Sequence, residues 1–82
     1  MAGDDETLDL RGLKCPLPVM RTRRHLRDLA PGATIRVETT DPLAVIDIPH
    51  FCRTEGHELM SSSADKGGHA FTIRRGAGET GN

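Results

Sequence analysis

The sequence predicts an α/β two-layer sandwich in the order β-α-β-α-β-β, with a four-stranded mixed sheet and two helices on one face. Three observations predict it. Short alternating stretches ("TLDL", "ATIRVETT", "HAFTIRR") are interleaved with two stretches whose apolar residues recur at helical spacing. Both helical stretches open on proline and run to a glycine-containing stop, Pro31-Gly32 for the first and Gly56 for the second. Right-handed crossovers then bring both helices to the same side of the sheet.

The elements follow in order. "TLDL" alternates, with Leu8 and Leu10 on one face of a short strand. The loop "RGLKC" contains Gly12, which is free to adopt a backbone angle other residues avoid. "PLPVMRTRRHLRDLA" reads as a helix from Pro16, since both prolines fit a first turn whose N–H groups have no helical partner. At about 100° per residue, Val19, Thr22, Leu26, Leu29 and Ala30 gather on one side and Arg21, Arg24 and Asp28 on the other. Arg23 and Arg27 lie on the flank. "ATIRVETT" alternates Ile35 and Val37 inward against Arg36 and Glu38 outward. Asp41-Pro42 reads as an N-cap and first-turn proline, opening "PLAVIDIPHFCRTE". Pro49 is expected to break or bend this second helix near Asp47, which would cap its second half. "HELMSSSAD" and "HAFTIRR" complete the sheet as two strands joined at Lys66-Gly67-Gly68. The outward Arg36, Glu38, Thr72 and Arg74 leave the other sheet face open to water.

Eighty-two residues make one domain that buries about 60–65% of its unfolded surface. Residues 6–75 are expected to form it, with residues 1–5 disordered and the Gly-rich 76–82 a flexible tail. With no Trp or Tyr and two Phe, the core must be aliphatic. No apolar run approaches the roughly 20 residues of a membrane span. The acidic start "MAGDDETLDL" lacks the basic-then-apolar order of a secretory signal, so a cytoplasmic location is expected. Two cysteines, Cys15 and Cys52, are too few for a disulfide scaffold. The net charge of −1 is segregated: Arg11, Lys14, Arg21, Arg23, Arg24 and Arg27 occupy a stretch with no acid, and the other 65 residues balance to −7. This arrangement predicts a positive docking face.

Cys15 stands between the basic loop and the two prolines. As N-cap of a helix from Pro16, its sulfur would face unpaired N–H groups and the positive end of the helix dipole. Arg11 and Lys14 would add positive potential. The expectation is a thiol pKa below the free value of about 8.5 and a field that stabilises a persulfide anion. A Cys-x-x-Cys motif would close a disulfide, but the residue three beyond Cys15 is Pro18. Sulfur received by Cys15 therefore has no local resolving thiol, which suits a carrier better than an oxidoreductase. Leu17 and Met20 lie near Cys15 and, ringed by arginines, would form a protein-binding patch, unless Met20 packs under the second helix.

The segments "LDLRGLKCPLPVM", "TDP" (40–42), "DIPHFC" and "GHEL" resemble the TusA (SirA-like) family of sulfur carrier proteins, from Leu8 to Arg75. The resemblance implies a two-layer α/β sandwich and a persulfide carried on the cysteine of C-P-x-P, here Cys15. It implies a cysteine desulfurase or rhodanese-like donor and a downstream sulfurtransferase as acceptor. The sulfur then serves 2-thiolation of the tRNA wobble uridine, molybdenum-cofactor enzyme maturation or sulfur oxidation. The residue between the prolines is often acidic in tRNA-thiolation members. Here it is Leu17, which points away from that pathway.

Cys52, among Ile46, Ile48 and Phe51, reads as a buried inert thiol, its rival role being a resolving thiol for Cys15 in a redox module. His50, Cys52 and His57 match no zinc spacing, and neither a metal nor another cofactor is expected. The arginine-rich helix admits an RNA-binding or regulatory reading. Slight negative charge and the lack of aromatics placed for stacking argue against direct nucleic-acid contact. With donor and acceptor sites on other proteins, the chain is expected to act as a monomeric carrier and not as a stand-alone enzyme. Cys15 carries the chemistry; Gly12, Pro16 and Pro18 shape its setting, with Arg11 and Lys14 in support. Leu17, Met20, Arg21, Arg23, Arg24 and Arg27 are the docking candidates.

Overall fold

A computed structural model describes residues 5–76 of the protein. Its elements are β1 (Asp5–Asp9), α1 (Leu17–Arg27), β2 (Thr34–Thr39), α2 (Ala44–Glu55), β3 (Glu58–Asp65) and β4 (Gly68–Arg74), the expected β-α-β-α-β-β order. The sheet runs β1-β2-β4-β3, with β1 and β2 parallel and the other two pairs antiparallel. A parallel pair cannot be joined by a tight turn, so β1 and β2 need the crossover that α1 supplies. β3 and β4 form a hairpin through Lys66-Gly67, and the register slips at Met60 of the edge strand β3.

Alternation sorts the two faces of the sheet. Ile35, Val37, Phe71 and Ile73 are fully buried beneath Leu26 of α1 and Ile48 and Phe51 of α2, and Leu10 closes one end. On the open face Arg36 Nε donates to Glu38 Oε2 at 3.1 Å, and Arg74 pairs with Glu58 across two strands. The mixed sheet with both helices over one face is the two-layer sandwich that the alternating segments predict.

Both helices depart from their expected bounds. α1 begins at Leu17, with Pro16 as N-cap, and Pro18 is buried in its first turn. Its inner stripe is Pro18, Thr22 and Leu26, and the Thr22 hydroxyl donates to the Pro18 carbonyl at 2.7 Å. The helix stops at Arg27 with Asp28 as C-cap, so Ala30 lies beyond it and is exposed instead of joining the inner stripe. α2 begins at Ala44, preceded by a turn in which Asp41 Oδ1 accepts the Leu43 N–H at 3.2 Å.

α2 also passes through Pro49 without a break. A proline inside a helix costs about 3 kcal/mol in lost hydrogen bonding and ring clash. Here Ala44, Ile48, Phe51 and Cys52 form a buried stripe spanning the proline, and burying side chains such as Ile and Phe is worth about 1.5–3 kcal/mol each. Core burial on both sides of Pro49 outweighs the local penalty. Asp47 is consequently not a cap, and its carboxylate is free for another partner. Gly56, at φ 79°, ends α2 in the left-handed conformation that side-chain-bearing residues avoid. The expected unstructured ends, 1–5 and 76–82, lie outside the described residues except for Asp5, which opens β1, and Gly76, whose N–H donates to His57 Nδ1 at 3.0 Å.

Candidate functional site

The β1–α1 loop is held from three directions. The Leu10 N–H donates to the Glu38 carbonyl at 2.8 Å, fixing the loop's start to β2. Gly12 sits at φ 87° and donates its N–H to Thr40 Oγ1 at 2.8 Å. The N–H of Cys15 donates to Asp41 Oδ2 at 2.7 Å. Asp41 thus holds the cysteine backbone with one oxygen and the approach to α2 with the other. The Cys15–Pro16 peptide is cis.

The thiol of Cys15 is exposed, and Sγ donates to Asp47 Oδ2 at 3.1 Å. That hydrogen bond holds the Cys15 thiol pKa above its ordinary value, and desolvation and the charges of Asp47 and Asp41 act in the same direction. The expectation of a depressed pKa is overturned. Two features of the fold explain why. Helix α1 starts two residues beyond Cys15, so Pro16 and not Cys15 is the N-cap, and the N-cap makes no side-chain hydrogen bond. Further, Arg11 is committed elsewhere: its guanidinium binds both carboxylate oxygens of Asp9, at 2.9 and 3.2 Å. Lys14 is exposed, and its carbonyl accepts the Leu17 N–H at 2.8 Å.

Beside the thiol a cleft of about 360 Å³ runs between the two helices, lined by Cys15, Pro16, Val19, Arg23, Asp47, His50, Phe51, Thr54 and Glu55. Arg23 lies in its wall, bound to Glu55 Oε2 at 3.1 Å and placed over the Phe51 ring at 5.5 Å. It ties α1 to α2, a structural task that the docking assignment did not include. A larger hollow of about 680 Å³ lies at the start of α2, lined by Val45, Ile46 and the β3–β4 turn; it shares Asp41 with the cysteine's surroundings but not Cys15 itself.

Of the docking candidates, Leu17 is 39% and Met20 50% exposed, so Met20 does not pack under α2. Met20, Arg23, Arg24 and Arg27, with the C-cap Asp28, surround a hollow of about 510 Å³ on α1 in which arginines predominate. Arg21 is exposed outside that hollow.

The other candidates separate clearly. Cys52 is 2% exposed within the core, and burial pushes its thiol up to about 11. His57 accepts the Gly76 N–H and packs 5.4 Å from the Phe51 ring, and among the described residues no cluster of three His, Cys, Asp or Glu could hold a metal ion. Phe51 and Phe71 are both buried, which leaves no Phe, Tyr or Trp to stack a base. No helix among the described residues is long and apolar enough to cross a membrane. Sequence reasoning missed Asp41 and Asp47 as members of the site. The only signal was their type: two carboxylates at the start of a helix next to the cysteine's element.

The family model for sulfurtransferase TusA matches residues 6–75. The sulfur carrier protein TusA of Pseudomonas entomophila (strain L48) is 45% identical over 73 residues, covering 89% of this chain and 91% of the relative. Its namesake in Pseudomonas aeruginosa (strain LESB58) is also 45% identical over 73 residues, with 89% and 92% covered. That of Pseudomonas fluorescens (strain SBW25) is 45% identical over 71 residues, with 87% and 86% covered. With the model and the relatives spanning the whole sandwich and the Cys15 loop, the chain belongs to the TusA family of sulfur carrier proteins.

Proposed function

We propose that Cys15 accepts a sulfane sulfur as a persulfide from a cysteine desulfurase or rhodanese-like donor and relays it to a downstream sulfurtransferase. The observation that carries this reading is the exposed Cys15 thiol at the mouth of an interhelical cleft while Cys52 is sealed in the core. A persulfide on Cys15 then has no accessible second thiol among the described residues to expel its sulfur as a disulfide closes. The burial of Cys52 also speaks against a redox module in which it resolves Cys15.

Exposed Leu17 and Met20, with Arg21, Arg24 and Arg27 on the same helix, supply an apolar-and-basic surface for an acidic partner. In this reading the carrier works as a monomer in the cytoplasm. Leu17 between the two prolines favours cofactor maturation or sulfur metabolism over tRNA thiolation as the destination. Incubation with a desulfurase and cysteine, followed by intact mass measurement, tests the proposal. An adduct of about 32 Da per sulfur atom is expected on wild type and absent from Cys15→Ser. An adduct retained in that variant, or confined to Cys52, would reject it.

A further inference from the structure

The thiol proton of Cys15 is not exposed to water alone: it points at Asp47 Oδ2, 3.1 Å away on α2. Asp41 stands on the same side, bound to the Cys15 N–H. The other charged groups facing the cleft are Arg23 and Glu55, which are paired with each other; the imidazole of His50 also lines it, its Nε2 3.4 Å from the Thr54 hydroxyl. Lys14 precedes Cys15 in the chain. Two carboxylates are therefore the groups bonded to this cysteine, one at the sulfur and one at the backbone.

Resting on the persulfide reading above, we infer that Asp47 is a positioning residue that sets the direction of sulfur transfer. It holds the thiol proton of the empty carrier and repels the persulfide anion of the loaded one. In loading, Cys15 Sγ attacks the terminal sulfur of a donor persulfide. The donor's S–S bond breaks, and the donor leaves as a thiolate that takes up the Cys15 proton. The new terminal S–H is a stronger acid than the thiol and ionises to water at neutral pH. Asp47 has then lost its hydrogen-bond donor and faces an anion instead. In unloading, an acceptor thiolate attacks the terminal sulfur, the Sγ–S bond breaks, the acceptor keeps the sulfur as its own persulfide anion, and the Cys15 thiolate takes a proton back from water and restores its bond to Asp47. No net oxidation occurs. The empty state recovers an interaction that the loaded state lacks, so equilibrium is biased toward giving the sulfur away.

The raised thiol pKa is consistent with this geometry: the carboxylate favours the protonated, empty form. The same geometry overturns the expectation of a field that stabilises the persulfide.

A competition tests the inference on the full chain. Isotope-labelled wild type and unlabelled Asp47→Asn are mixed in equal amounts with limiting inorganic polysulfide and a trace of glutathione as shuttle. The partition of added sulfur is then read by mass. Sulfur is expected to accumulate several-fold on Asp47→Asn, and Asp47→Glu, which restores the charge, is expected to shift the partition back toward equality. Alkylation of empty Asp47→Asn by iodoacetamide at neutral pH is expected to be several-fold faster than that of wild type. Asp47→Ala gives the same direction by a second route. Equal partition, or an alkylation rate unchanged in both Asp47→Asn and Asp47→Ala, overturns the role of Asp47 while leaving Cys15 as the carrier. Sulfur absent from Cys15 in every protein overturns the carrier reading, and this inference with it.

Discussion

Cys15 and Cys52 carry the same functional group in opposite settings, and the difference is made by neighbours. Cys52 packs with Ile48 and Phe51 in the core, where a thiolate finds no solvation. Burial pushes its thiol up to about 11 in the folded protein, well above the range of a free thiol. The sign of the linkage follows. The contribution to stability is complete below pH 9 and is lost as pH rises through about 11, because the unfolded chain ionises first. Thermal melts from neutral to alkaline pH should show wild type losing stability across that window more steeply than Cys52→Ala. At neutral pH the substitution should cost about 1 kcal/mol for the vacated volume and leave sulfur loading on Cys15 intact. Parallel alkaline curves for the two proteins would show that Cys52 is not the titrating group. At the same scale, Asp47 illustrates how one residue type takes different tasks. The position reads as a helix cap when Pro49 is expected to break α2, and as a thiol partner once the helix is continuous.

At the scale of elements, the site belongs to α1 and α2 jointly. α1 carries the apolar and basic surface, while α2 carries Asp47 and the far wall of the cleft. Leu26 roots α1 in the core, and Arg23 joins the two helices through Glu55 and the Phe51 ring. Both partners of the pair are about one-third exposed, which limits the strength of the contact. A double-mutant cycle with Arg23→Ala and Glu55→Ala, read by urea denaturation, should give a coupling of about 0.2–1 kcal/mol. Zero coupling would mean that the helices are held by their apolar contacts alone. The bounds of these helices are only partly legible in the sequence. Periodicity placed Thr22 and Leu26 inside and Arg21 and Arg24 outside, as found. It had no means of weighing the Pro49 penalty against core contacts made by residues on either side of it.

For the whole molecule, segregated charge is the feature with the longest reach. The basic residues between Arg11 and Arg27 do not act as one patch, since Arg11 is bound by Asp9 and Arg23 by Glu55. Arg21, Arg24 and Arg27 remain exposed on α1. Replacing Arg24 and Arg27 with Glu should change stability by no more than about 0.5 kcal/mol each, as surface substitutions do. Loading from an acidic protein donor should slow, and its decline with added salt should flatten, because long-range attraction is what salt screens. Loading by inorganic polysulfide should be unaffected. An unchanged rate with the protein donor would place the docking surface elsewhere.

Element order and the two faces of each central strand are legible in the residues alone, as are the motif around Cys15 and the family likeness. The first two are written in local spacing, alternation and helical recurrence; the family is carried by the likeness of whole segments such as the one around Cys15. The electrostatic setting of the thiol is not legible there; it arises from how the folded chain packs. Read along the chain, Cys15 has the basic Arg11 and Lys14 for neighbours; in space it is bound by Asp41 and Asp47, 26 and 32 residues on. The reason is physical. Charge acts through distance in space, and the packing of α2 beside the β1–α1 loop, not the order of residues, sets which charges are near.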